Sequence, residues 1–211
     1  MDTQAIQEAA DLAITLRDGS RALIRPVRPD DKPLFAAAYE RLSPESRRRR
    51  FLAAPSRLST EDLRYFTEID HRRHEALIAL DPDTCDLVGD ARYVRLPGER
   101  ESAEVATFVA DDWQQRGLAT SLLTELTRRA RANGLRRYTA VVSADNGVVL
   151  ETLERFGARH KGARAGEVEL EIDLPSEGVP TRLMGPLRWA AAGQLRLLGG
   201  LARRLRPRGS R

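Results

Sequence analysis

The residues of this chain best suited to chemistry lie in one stretch, FVADDWQQRGLAT at 108–120. The apolar run EVATFVA at 104–110 predicts a strand, and residues 117–133 carry Leu118, Leu122, Leu123, Leu126 and Ala130 along one helical face. Strand, short loop and helix therefore meet at Gln114, Gln115, Arg116, Gly117, Leu118, Ala119 and Thr120. The first amides of a helix have no intrahelical acceptor, and the helix dipole adds roughly half a positive charge there. Gly117 lets a ligand approach the backbone, and the small Ala119 keeps that surface open. Such an arrangement cradles phosphate. It is not a P-loop, because GxxxxGK followed by Ser or Thr is absent, and it lacks the GxGxxG of a dinucleotide fold.

The elements that must position this stretch can be read around it. Residues 1–19 form a short lead-in ending at the turn Asp18-Gly19, and SRALIRPV at 20–27 predicts a strand. Asp30 or Asp31 can cap a helix started by Pro33. Ser43-Pro44 opens a second helix, through the arginines at 47–50 to Phe51. A third spans 59–69, with Ser59 and Asp62 at capping-box spacing. EALIAL at 75–80 and LVGDARYV at 87–94 predict a hairpin about Asp81-Pro82-Asp83. After the 117–133 helix come a strand at 137–142, a helix at 146–156 closed by Gly157, and a last hairpin over 158–174.

Strand, then Gln114, Gly117 and Ala119 as Q-x-x-G-x-A, then an amphipathic helix resembles motif A of the GNAT superfamily of N-acetyltransferases, in a context that fits over residues 20–174. Asn146, between a strand and a helix ending Arg155-Phe156-Gly157-Ala158, is similar to the next block of that superfamily. LSPESRRRRF at 42–51, EIDHRRHEALIAL at 68–80 and AEVATFVADDWQQRGLA at 103–119 look most like the acetyltransferase domain of bacterial Pat-type protein lysine acetyltransferases. The resemblance implies an α/β (α+β) fold with a mixed, mostly antiparallel sheet, flanking helices and acetyl-CoA as co-substrate. The backbone at Phe108 and Val109 would pair with the pantetheine arm, the amides of 115–120 would hold the pyrophosphate, and Asn146 would sit near the sulfur end. The acceptor would be a protein lysine or, as runner-up, a small-molecule amine. A third expectation, of another class, is a silent CoA-binding module acting through its tail. Relatives of this type are often fused to a cyclic-nucleotide domain or an acyl-CoA synthetase-like region; the roughly 20 residues before the domain are expected to hold neither, so inherited cAMP regulation is not implied.

An attacking lysine must first lose a proton, its ammonium having a pKa of about 10.4. Glu104 is the candidate base, on the strand leading into the motif and at a position where the Pat-like enzymes use a glutamate. The competing reading makes it the exposed member of an alternating strand, and Glu101 is the fallback. The tyrosine that many superfamily members place seven residues after the asparagine is Leu153 here, and Tyr138 is assigned to the core. His71, His74 and His160 lack the further partners of a metal set. Ser143 and Asp145 read as a helix cap, the arginines at 47–50 as a solvated face, and Trp113 as packing or as a shield for the cofactor.

Charge is unevenly distributed. Lys and Arg number 35 against 31 acids, for a net +4 and a pI near 9.7. Residues 176–211 carry eight arginines and one glutamate, +7, so residues 1–175 carry 4 − 7 = −3. That body argues against a polyanion-binding domain, and no specific nucleic acid partner is expected. Cys85 is alone, so no intramolecular disulfide or multi-cysteine zinc site can form. Without a basic, apolar leader or an apolar run of about 18 residues, a cytoplasmic location is expected. In the tail, Leu183, Leu187, Ala191, Leu195, Leu198 and Leu201 recur near helical spacing among arginines. Docking of 183–206 on a membrane surface or a partner, packing on a domain, and a disordered basic tail remain open. The expected division is thus 1–19 lead-in, 20–175 acetyltransferase domain and 176–211 tail.

Overall fold

The computed structural model describes residues 12–42, 57–95, 98–144, 157–164 and 166–174, with Gly147, Leu150, Glu151 and Glu154. The helix expected after Ser43, the tail at 176–211, and Asn146 and Leu153 lie outside the described residues. Of the helix expected over 146–156, the four residues just named are described, and all are helical.

The strands are β1 (Leu12–Thr15), β2 (Arg21–Pro26), β3 (His74–Leu80), β4 (Leu87–Val94), β5 (Ser102–Val109), β6 (Arg137–Ser143), β7 (Arg159–Arg164) and β8 (Glu167–Asp173). They form one sheet in the order β1-β2-β3-β4-β5-β6-β8-β7. Every neighbouring pair is antiparallel except β5 and β6, which run parallel. The helices are α1 (Lys32–Arg41), α2 (Thr60–Thr67) and α3 (Leu118–Ala132). None among the described residues is long and apolar enough to cross a membrane.

Period-two alternation in the strands feeds two cores. One face buries Ile24, Leu77, Ala91, Tyr93 and Val105 against Leu118, Leu122, Leu126 and Ala130 of α3. The other buries Ala76, Ile78, Ala106 and Phe108 against Phe35, Ala38 and Tyr39 of α1 and Phe66 of α2. Both faces of the central strands are therefore covered, and β4 and β5 are buried along almost their whole length. Gly89 on β4 permits a close approach of α3: a β-carbon there would fall 2.9 Å from Leu122 Cδ1 and 3.3 Å from Leu118 Cδ2.

Two local features differ from the sequence expectation. Leu12–Thr15, read as lead-in, is an edge strand paired with β2. Four residues are too few for alternation to distinguish a strand from a loop. Asp31 does occupy the N-cap of α1, but its carboxylate makes no capping bond. It instead accepts from both terminal nitrogens of buried Arg25, at 2.8 and 2.6 Å, and from the Arg28 N–H at 2.7 Å. By contrast, the capping box of α2 forms as its spacing predicts, Ser59 Oγ accepting from the Asp62 N–H at 3.1 Å.

Candidate active site

The site is a gap in the sheet and a loop at one end of it. β5 and β6 pair only at Ser102↔Arg137, Ala103↔Tyr138 and Glu104↔Thr139. Beyond Glu104 they diverge. β5 stays paired with β4 as far as Val109, and β6 with β8 as far as Ser143, so their facing edges are open to each other. An extended amide-bearing chain can hydrogen-bond to such an edge as an added strand does.

The loop after β5 ends at Gly117, the N-cap of α3, with φ 98° and ψ 0°. That left-handed conformation suits glycine. Gln115 is also left-handed, at φ 63°, a strain that ligand clamps commonly hold. The first intrahelical bond is Ser121 N–H to Gly117 C=O, 3.2 Å, so the amides of Gly117, Leu118, Ala119 and Thr120 have no acceptor in the helix. The Gln114 side chain ties the loop back on itself, donating to Val109 C=O at 3.4 Å and Asp111 Oδ1 at 3.1 Å.

Together these residues bound a cleft of about 250 Å³, lined by Val109, Trp113, Gln114, Gln115, Gly117, Leu118, Ala119 and Thr120. Phe108 and Arg116 are not on that lining. The Phe108 side chain joins the core under α1 and α2. Arg116 lies over the Trp113 ring at 5.1 Å, donates to Asp112 C=O at 2.6 Å and pairs with Asp18 at 3.2 Å. Thr120 is 4% exposed, and its buried Oγ1 has no hydrogen-bond partner. Native structures rarely leave such a group orphaned, so a polar ligand in the cleft fits it. Free amides, a positive helix end and an orphan hydroxyl make a set of donors suited to a pyrophosphate.

Glu104 occupies the last paired position before the gap and is 4% exposed. The surface reading of this residue is thereby corrected, since helices cover both faces of β5. Strand alternation puts it on the face of Ala106 and Phe108, toward α1 and α2. Glu101, the fallback, has a side chain 52% exposed and paired with Arg136 at 3.3 Å. Tyr138 packs in the core facing α3, where burial pushes its phenol well above the usual range.

A second cleft of about 350 Å³ opens on the Glu104 face, lined mainly by Phe35, Tyr39, Phe66, Leu87 and Phe108, with Asp90 as its acid. Asp90 and Arg92 form a bidentate pair at 2.6 and 3.0 Å with side chains 2% and 0% exposed. Arg92 also donates to Phe66 C=O at 3.3 Å and lies over the Phe66 and Phe35 rings at 4.6 and 5.5 Å. Its Nη1 is 3.2 Å from His74 Nε2. A guanidinium only donates, so His74 accepts there and is neutral. Burial, and then the Arg92 charge, hold the imidazole down at about 3. The other two histidines have carboxylate partners: His71 with Glu75 at 2.8 Å, and His160 with Glu154.

The protein-family model "Acetyltransferase (GNAT) domain" matches residues 21–159. Acetyltransferase Pat of Mycolicibacterium smegmatis is 31% identical over 166 residues, 78% of this chain and 49% of that protein. Acetyltransferase PA5475 of Pseudomonas aeruginosa is 37% identical over 134 residues, 63% of this chain and 72% of that protein. The chain thus spans about half the length of the first relative and nearly three quarters of the second. The crystal structure of the GNAT domain of S. lividans PAT superposes with a TM-score of 0.69 at 32% identity, over 78% of this chain and 97% of that one. With the sheet gap and amide loop described above, these matches settle the family: the chain belongs to the GNAT acetyltransferases, acyl-CoA-dependent N-acetyltransferases that take acetyl-CoA as co-substrate.

Proposed function

We propose that this chain transfers an acetyl group from acetyl-CoA to the ε-amine of a protein lysine by direct attack, with Glu104 as general base. The pyrophosphate lies on the amides of 117–120 with Thr120 Oγ1 beside it, and the pantetheine arm runs along the open edge of β5 past Val109 and Phe108. Asn146 keeps its assignment near the sulfur end. Glu104, directly or through one water, takes a proton from the lysine ammonium. The neutral nitrogen then bonds to the thioester carbonyl carbon, the C–S bond breaks with its electron pair on the CoA sulfur, and the second proton lost by the nitrogen passes to that thiolate, leaving the amide and free CoA thiol. No covalent enzyme intermediate is required.

The observation that carries this reading is the end of β5–β6 pairing at Glu104↔Thr139. The burial of Glu104 at that point supports a base beside the end of an inserted cofactor chain. A lysine-bearing acceptor is supported by the likeness to relatives named Pat and by the net −3 of residues 1–175. Glu104→Gln tests the base. Turnover should fall by about 10²- to 10⁴-fold while acetyl-CoA binds as before. A variant with wild-type turnover would remove Glu104 from the mechanism.

A further inference from the structure

We infer that Arg17, on the turn between β1 and β2, is a phosphate-binding residue for the CoA moiety, outside the motif that supplies the amides. The inference rests on the acetyl-CoA reading of the cleft.

The β1–β2 turn is joined to the cofactor loop. The Arg17 N–H donates to Arg116 C=O at 3.1 Å. The Arg17 side chain lies against Gly117, where a β-carbon would be 3.5 Å from its Nε and 3.7 Å from its Cγ and Cδ. The guanidinium stem thus borders the residue that opens the amide cradle. The turn is braced from below by Leu16, which is buried in the core and donates its N–H to Ser20 C=O at 2.8 Å. Gly19 N–H closes on Leu16 C=O at 3.1 Å.

Charge at this corner is distributed unevenly. Arg116 is committed to Trp113, Asp112 and Asp18. Asp18 is in turn engaged by the Ser20 hydroxyl, at 2.6 Å, and by Arg116. Those partners, Ser20 foremost, hold its carboxyl below the usual range. The exposed Arg17 guanidinium has no hydrogen bond or ion pair among the described residues. A cation with no such partner among the described residues therefore stands beside the amides of 117–120 and the orphan Thr120 hydroxyl. Backbone amides orient a phosphate without neutralising it, whereas CoA carries a pyrophosphate and a 3′-phosphate. Arg17 supplies the full charge that the cradle lacks, and its fork can take two phosphate oxygens at once. The local motif cannot reveal this residue, because it reaches the site from the far edge of the sheet.

Calorimetric titration of the full chain with acetyl-CoA and with its 3′-dephospho analogue tests the assignment. Arg17→Ala should weaken acetyl-CoA by about tenfold, raising KM with kcat unchanged, and Arg17→Lys should recover part of the loss. If the partner is the 3′-phosphate, the wild type prefers acetyl-CoA and Arg17→Ala erases the preference. If it is the pyrophosphate, both ligands weaken equally. Arg17→Ala binding acetyl-CoA as tightly as a binding-competent wild type overturns the inference. A wild type that does not bind acetyl-CoA removes the cofactor reading, and the role of Arg17 with it.

Discussion

The amide loop before α3 and the face under α1 and α2 are built from different materials. The loop is made of backbone: free amides, two left-handed residues and a gap between strands. The α1–α2 face is made of side chains, with aromatic rings around the buried Asp90–Arg92 pair and the partly buried His74. A backbone site depends on local conformation and leaves a short motif. A side-chain site depends on residues such as Phe35, Phe66, Asp90 and Phe108, which come from four separate elements and share no spacing. The first tolerates variation in what flanks it, while the second depends on each of those side chains.

The largest effect that would sharpen this contrast is expected from Asp90→Ala. Removing the carboxylate strands a fully buried guanidinium, at a cost of about 3–5 kcal/mol. Urea unfolding should show the loss, while the folded fraction keeps its acetyl-CoA affinity. A loss under about 1 kcal/mol would mean that the cluster is not what holds this face.

A smaller effect follows from His74. Its folded pKa, about 3, lies below the ordinary value of 6.5. The unfolded chain therefore binds the extra proton first as pH falls. The stability contributed is complete above about pH 6.5 and is lost progressively down to about pH 3. Between pH 7 and 4.5 the change should be ~2 kcal/mol, visible in denaturation midpoints. His74→Gln should flatten that slope, and an unchanged slope would show that the imidazole is not the titrating group.

The smallest effect belongs to the amide loop. Thr120→Val keeps the shape and deletes the orphan hydroxyl, so thermal stability should stay level or rise slightly. Acetyl-CoA affinity should fall by about 3- to 10-fold, the worth of one hydrogen bond. Lower stability with unaltered affinity would make the hydroxyl structural and blur the distinction between the two regions.

The same contrast explains what could be read from the sequence. α3, its glycine start and the strand before it were legible because periodicity and the Q-x-x-G-x-A spacing are local. Burial was less so: the alternation of β4 and β5 gives Asp90, Arg92 and Glu104 the look of surface positions. Helices on both sides bury them instead. β1 was too short to announce itself, and with it went the route by which Arg17 reaches Gly117. The expectation for Arg116 concerned its backbone amide; its side chain is held by Trp113 and Asp18, contacts that only the assembled loop creates.

The break in pairing after Glu104 gives the sheet two internal edges, residues 105–109 and 140–143, facing one another across a missing strand. Exposed edges normally invite pairing with another chain. These are sheltered by facing inward, and the gap between them suits a chain that is narrow, extended and rich in amides. An acyl-pantetheine arm has that form. On the proposed reading its binding would complete the sheet as well as deliver the acetyl group, which would couple folding and substrate loading at one place.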